Sequence, residues 1–344
     1  MYSLDTLTEI NFELSSFCNA KCPQCHRYDI FGNLQKNLTP AHLSINIIKN
    51  LPLKKMVNLK TISLCGNFGD PLMHPELDQI LDFFSTKEIK ISTNASLRNK
   101  EWWEKIGKNK NIQITFCIDG IGEEHELYRR KTSYDKIIDN AKAFIQAGGT
   151  AHWQFIVFKH NEHQIDEAKK LSISLGFDKI FFIFSDRFDT SNTWKVFDNN
   201  QYLYDLNVAT NQTTLRESLD SPIGEKSWKN LYKNKGEISC FWSQKKKIYI
   251  HSDGTVYPCC MLGSIQAGQS DKNIEKLLYK RIIKEYKNID LNFKSLEKIF
   301  KSKTFKKNIP ESFTGNPLSH PVCIEWCNKN TGKYIKELNY VNKA

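Results

Sequence analysis

Ile10-Asn-Phe-Glu-Leu-Ser-Ser-Phe-Cys18-Asn-Ala-Lys-Cys22-Pro-Gln-Cys25 passes from an alternating strand straight into a loop with three cysteines. Ile10, Phe12 and Leu14 alternate with polar residues, the period of a half-buried strand. Outward from it, strands predicted at 60–65, 89–93, 112–118, 152–158 and 179–184 alternate with helical stretches near 40–50, 75–85, 101–108, 133–147 and 162–175. In the last of these, Ile165, Ala168, Leu171 and Leu175 fall at helical spacing and Gly176 stops the helix. Such alternation implies a parallel sheet with right-handed crossovers. Six units do not close an eight-stranded barrel. The expected fold is α/β, a partial (β/α)6 TIM-like barrel, with functional residues at the carboxyl ends of its strands.

The chain has 344 residues, of which 40% are hydrophobic, 25% charged and 12% aromatic, a composition that excludes a disordered or fibrous protein. Its length suggests about two domains. The longest apolar run, Ile180-Phe-Phe-Ile-Phe184, is too short to cross a membrane. Met1-Tyr-Ser-Leu-Asp-Thr6 has neither a basic start nor an apolar stretch, so no signal peptide is read and the expected location is cytoplasmic. The net charge of +11 comes from lysines scattered among asparagines along the whole chain, which argues against a dedicated nucleic-acid stripe. Ten cysteines without a secretory signal point to metal binding or catalysis rather than a disulfide framework.

After Ser185 the pattern breaks. Residues 186–239 are polar and read as an irregular segment that covers a substrate. Regular signals return at Lys247-Ile-Tyr-Ile-His251 and Thr255-Val-Tyr-Pro258, a hairpin around Asp253-Gly254, followed by a helical stretch at about 272–288 and a cysteine-bearing tail. The expected organisation is a core over 1–185, a linker over 186–239 and a C-terminal domain over 240–344.

Three thiolates spaced Cys-x3-Cys-x2-Cys can hold three irons of a cubane and leave the fourth open to a ligand. A zinc site completed by His26 or another residue is the alternative. Strand, triple-cysteine loop and strand–helix repeats in this order resemble the radical S-adenosylmethionine (SAM) superfamily, although Gln24 stands where many members place an aromatic residue. The resemblance implies that Cys18, Cys22 and Cys25 hold a SAM-binding 4Fe–4S cluster, that SAM is cleaved to a 5′-deoxyadenosyl radical, and that the radical abstracts a substrate hydrogen.

Further segments match the family in order. Cys65-Gly-Asn-Phe-Gly-Asp-Pro71 resembles its Gly-Gly-Glu-Pro segment, implying that Gly66, Asn67, Gly69 and Asp70 meet the amino group of SAM. Cys65 itself reads as a buried strand-end residue. Ser92-Thr93-Asn94 resembles Thr-Asn-Gly, and Phe116-Cys117-Ile-Asp119-Gly120 resembles Ser-x-Asp-Gly near the ribose. By the same resemblance Thr93, Asn94, Cys117, Asp119, Arg129, Arg130 and Asn161 are candidate SAM contacts, with Asn161 open to the alternative of a helix cap.

The C-terminal cysteines resemble those of the SPASM domain or its shorter twitch form. Cys240 and Cys259, the latter in Gly254-x4-Cys259, would combine with Cys323 and Cys327 to close one auxiliary 4Fe–4S cluster. The middle Cys-x2-Cys-x5-Cys run of a full SPASM domain is absent. A four-cysteine zinc site is the alternative. Cys260 is the candidate catalytic residue as a hydrogen-atom donor, with burial or alternative ligation as its other roles.

The expected enzyme is an oxidoreductase acting on a small polar metabolite, because no peptide-recognition segment is read before residue 8. A peptide-modifying maturase or epimerase is the second reading, and a non-catalytic iron–sulfur or zinc protein that binds RNA is the third. An electron donor such as flavodoxin or ferredoxin is the expected partner. Asp186, Arg187 and Trp194 are the expected substrate contacts.

Overall fold

The structure, a computed structural model, describes residues 2–185, 187–188, 191–210, 237–264, 283, 285–314 and 319–329. Six strands follow the predicted order: β1 (Glu9–Phe12), β2 (Thr61–Leu64), β3 (Glu88–Thr93), β4 (Ile112–Cys117), β5 (Thr150–Val157) and β6 (Lys179–Phe184). Between them lie α1 (Ile45–Lys49), α2 (Leu77–Phe83), α3 (Lys100–Gly107), α4 (Glu123–Tyr128), α5 (Tyr134–Gln146) and α6 (Ile165–Leu175). The fold is α/β, and the eight-stranded sheet runs β10-β9-β1-β2-β3-β4-β5-β6, where β9 is Lys247–Ile250 and β10 is Val256–Tyr257. Only the β9–β10 pair among the registered neighbours is antiparallel.

Local chemistry accounts for these boundaries. Asn99 caps α3 by accepting from the Trp102 amide at 3.1 Å, and Ser133 caps α5. Gly176 ends α6 in the left-handed conformation at φ 85°, as its position in the sequence predicts. The apolar stripe of α5 (Ile137, Ala141, Phe144) is buried, and Phe144 joins Phe116 of β4 and Trp103 of α3 in an aromatic core. Trp103 and Trp153 donate their indole N–H groups to the Leu97 and Ile118 carbonyls at 3.0 and 2.8 Å, so neither buries an unpaired donor.

The chain divides into two compact units. One comprises Glu13–His42 and Ile62–Pro222, and holds the first cysteine loop. The other comprises Met1–Phe12, Leu43–Thr61 and Ile223–Ala344, and holds the hairpin with the later cysteines. In that hairpin Gly254 takes φ 92°, the left-handed geometry that the Asp-Gly turn requires.

One expectation is corrected. The segment read as irregular contains an antiparallel ribbon, β7 (Thr193–Asp198) with β8 (Gln201–Asn207). Its turn residues Asn199 and Asn200 sit at φ 51° and 70°, the geometry of a two-residue hairpin turn that asparagine tolerates. At the end of β6, Ile183 and Phe184 are each 38% exposed among the described residues. The helical stretch expected at 272–288 lies largely outside the described residues, apart from a short 3-10 turn at Tyr286–Asn288.

Candidate active site

The loop after β1 turns on itself, with the Cys25 amide donating to the Cys22 carbonyl at 3.1 Å and the Tyr28 amide to the Cys25 carbonyl at 3.0 Å. This brings Cys18, Cys22 and Cys25 within electrostatic reach of one another. Burial pushes the Cys22 thiol up to about 11 against the pull of the Arg129 guanidinium, and burial pushes Cys18 up further. Crowded thiols that resist ionisation alone form a donor set that metal binding converts to thiolates. Two N–H groups already face the sulfurs: Asn94 Nδ2 at 3.6 Å from Cys18 and Arg129 Nη1 at 3.9 Å from Cys22. The chemistry fits an iron–sulfur cluster.

The motifs that follow the strands are stitched to this loop. Asp70 accepts from the Thr93 hydroxyl at 2.8 and 2.9 Å and from the Asn94 amide at 2.8 Å. Asn94 in turn donates to Asn19 at 3.0 Å, between the first two cysteines. At the ends of β4 and β5, Asp119 accepts from Arg129 Nε at 2.5 Å and from the Ile156 amide at 2.6 Å. Asn161 accepts from the Phe158 amide at 2.7 Å and donates to the Asp119 carbonyl at 3.0 Å. Beside them, burial pushes His125 down to about 3, with Arg129 adding to the effect, so its Nδ1 accepts from the Asp119 amide at 3.1 Å as a neutral ring.

These bonds set the surroundings of the expected SAM contacts. Asp119 and Asn161 have no accessible surface, and their side chains brace the strand ends. Asp70 is 4% exposed, and its carboxylate also caps Pro71–Met73 by accepting from the Leu72 amide. Gly66, Asn67, Gly69, Arg129 and Arg130 keep partial exposure, and Cys117 is buried at the end of β4. Cys65 is exposed, not buried as expected.

The ribbon lies against the cysteine loop. Val196 and Leu206 share one buried apolar cluster with Ala20, Cys22, Tyr128 and Phe158, and Trp194, Tyr204, Cys18 and Cys25 pack against it. At the ribbon turn, Asp198 pairs with Lys21 and, at 2.6 Å, with Arg130. Gly32 is required opposite, because a Cβ there would sit 2.3 Å from the Phe197 carbonyl oxygen. Arg187 donates to the Gln24 carbonyl at 2.6 Å, so it braces the loop, whereas Asp186 lies outside the described residues. The Lys21 and Arg130 charges hold the Asp198 carboxyl below the ordinary carboxylate range. Its stabilising contribution is therefore complete above about pH 4 and is lost as Asp198 takes a proton on further acidification. Asp198→Asn should leave the iron content unchanged while a chelator strips iron from the N-terminal site several-fold faster; an unchanged stripping rate would show that the Asp198 pairs do not hold the ribbon on the cysteine loop.

Residues that sequence reading missed are Glu13, Lys21, Arg27 and Asp198. Asn199-Asn200 between alternating Trp194/Val196 and Tyr204/Leu206 was an available hairpin signal. The other three act through contacts distant in sequence.

In the second unit, Cys240, Cys259, Cys260, Cys323 and Cys327 line one cavity of about 150 Å³ with Phe241, Trp242, Leu262, Phe313 and Trp326. Cys323 and Cys327 are one turn apart on the helix Pro321–Cys327, as the spacing predicts. The Cys327 thiol donates to Cys240, which together with the Ser243 and Trp242 amides favours a Cys240 thiolate. Burial raises Cys259 and Cys323. A small, apolar, thiol-lined cavity fits a cluster closed by protein sulfur. Cys260 opens a short helix, Cys260–Ser264, on the same cavity, which groups it with these thiols.

Known proteins match this organisation. The radical SAM superfamily model matches residues 12–172, and that of the SPASM iron–sulfur cluster-binding domain matches 240–329. The cysteine-type anaerobic sulfatase-maturating enzyme of Clostridium novyi (strain NT) is 23% identical over 374 residues, spanning 95% of this chain and 88% of that protein. Streptococcus suis SuiB bound to precursor peptide SuiA shares the fold at TM-score 0.56 and 16% identity, over 89% of this chain and 67% of that one. Native anSMEcpe with bound AdoMet and Cp18Cys peptide does so at TM-score 0.52 and 16% identity, over 89% and 83%. With both family models in place over the two cysteine groups, the chain belongs to the radical SAM superfamily and carries a SPASM-type domain, which makes it an enzyme whose cofactors are a 4Fe–4S cluster, S-adenosylmethionine and auxiliary iron–sulfur.

Proposed function

We propose that this enzyme modifies a peptide or protein segment by hydrogen abstraction. The observation that carries this reading is likeness over nearly the whole chain to a sulfatase-maturating enzyme, with fold likeness to two structures that hold peptides. It replaces the small polar metabolite expected above. This chain covers 83% of anSMEcpe, which was solved with a peptide bound.

In this reading Cys18, Cys22 and Cys25 hold the SAM-binding cluster, and Gly66, Asn67 and Gly69 offer backbone to the methionine end of SAM beside Arg129 and Arg130. When bound, the cluster and SAM together supply a 5′-deoxyadenosyl radical that takes a hydrogen atom from the substrate. The protein's part is positioning and exclusion. Asn94 and Arg129 direct N–H groups at two of the sulfurs, a contact that tunes cluster potential. Asp119 fixes Arg129, and the ribbon keeps water from the loop. Cys240, Cys259, Cys323 and Cys327 would hold one auxiliary cluster, which would supply one-electron redox chemistry fitting a net oxidation. The first electron comes from an external donor such as flavodoxin or ferredoxin.

The test uses reconstituted protein with SAM, a low-potential reductant and size-fractionated extract. A peptide fraction should accelerate 5′-deoxyadenosine formation, and dialysable metabolites should not. Acceleration by metabolites alone would return the reading to a small substrate.

A further inference from the structure

Two charged side chains buried beneath the Gly66–Gly69 loop have no place in the chemistry above. Glu13, just past β1, has no accessible surface, and Arg27, two residues after Cys25, is 6% exposed. Burying charge is unfavourable unless strong hydrogen bonds compensate. Both residues bond to the same loop. Glu13 Oε1 accepts from the Phe68 amide at 2.6 Å and from the Gly69 amide at 3.1 Å. Arg27 Nη1 donates to the Phe68 carbonyl at 3.1 Å and to the Ser16 carbonyl.

Thus the peptide groups around Phe68 are held from both sides, the N–H groups by a carboxylate and the carbonyl by a guanidinium. The space is tight as well. A Cβ on Gly66 would lie 2.5 Å from the Gly69 oxygen and 3.0 Å from Glu13 Oε1. The loop turns back on itself around the Glu13 oxygen. Charge-assisted bonds are roughly twice as strong as neutral ones, so they suit a loop that must keep one shape while a ligand arrives and leaves.

We propose that Glu13 and Arg27 are positioning residues that preset the Gly66–Gly69 backbone for the methionine end of SAM. The proposal rests on the reading of that loop as a SAM contact. Neither residue touches SAM in it; both act through the loop.

The test is SAM affinity, by equilibrium dialysis on the anaerobically reconstituted protein, with iron content and melting temperature measured in parallel. Glu13→Gln keeps one acceptor oxygen but loses the charge. It should weaken SAM binding about tenfold with iron content unchanged. Arg27→Gln should do the same, and the perturbation that SAM induces in the reduced-cluster EPR spectrum should shift in both. Gly66→Ala distorts the loop directly and separates the two ideas. Weak binding in Gly66→Ala with wild-type binding in Glu13→Gln and Arg27→Gln overturns the positioning role and spares the loop. Wild-type binding in all three variants overturns the loop reading and the proposal together. If Glu13→Gln loses iron or melts far below the wild type, Arg27→Gln decides by the same criterion.

Discussion

Alanine at Cys18, Cys22 and Cys25 together will leave about half the iron of the reconstituted protein and abolish 5′-deoxyadenosine formation. Two cubanes hold roughly eight irons, and each site draws its thiols from a different stretch of the chain. The N-terminal set loses all three sulfurs in this variant. Cys240, Cys259, Cys323 and Cys327 keep theirs, along with the cavity they line. They are held by contacts within their own unit, such as the Ser239 amide on the Cys327 carbonyl at 2.7 Å, that the substitution does not touch. Complete loss of iron would mean that the C-terminal thiols do not hold a cluster. Zinc in place of the retained iron would assign them to a structural metal site.

Gly69→Ala will destabilise the protein and abolish SAM binding. A Cβ at this position would lie 1.9 Å from the Ser15 carbonyl oxygen and 2.6 Å from that of Phe17. Both obstacles are backbone, and the Asp70 amide is bonded to the Phe17 carbonyl at 2.9 Å, so neither side can yield without breaking the loop. Overpacking of this kind costs about 3 kcal/mol or more. That corresponds to a fall in melting temperature of roughly 5–10 °C. Gly122→Ala is the contrasting case. Its φ of 65° strains any side chain, but no atom lies within 4 Å of the new Cβ. The cost there should be about 1–3 kcal/mol, from backbone strain alone, with SAM binding kept. Equal effects at the two glycines would show that contact with the cysteine loop is not what Gly69 provides.

What was legible in the sequence follows from the range of the interactions. The strands were visible because alternation along β1, β3 and β5 reports burial on one face, and the helices because capping is local at Asn99, Ser133 and Gly176. The two cysteine groups were visible because ligand sets of this kind cluster in sequence. The direction of a side chain was not. Asp70, Asp119 and Asn161 are the right residue types at strand ends, yet each turns inward to bond the neighbouring segment. Glu13 reads as the polar member of an alternating strand, and its partners Phe68 and Gly69 lie more than fifty residues away. The ribbon was obscured by polar residues on its outer face, such as Lys195 and Asp205, although its inner face is apolar. Substrate class is not carried by these motifs, because one fold with the same cluster-holding residues serves many substrates.

On the proposed function, the radical formed with the Cys18–Cys25 site takes its hydrogen from a peptide. Supplying the peptide fraction of a deuterated extract to reconstituted enzyme, SAM and reductant, and weighing the 5′-deoxyadenosine formed, tests this. One added deuterium is expected with the peptide fraction, none with the metabolite fraction, and none with the triple-alanine variant. Deuterium transferred from the metabolite fraction while the peptide fraction gives unlabelled product would contradict it.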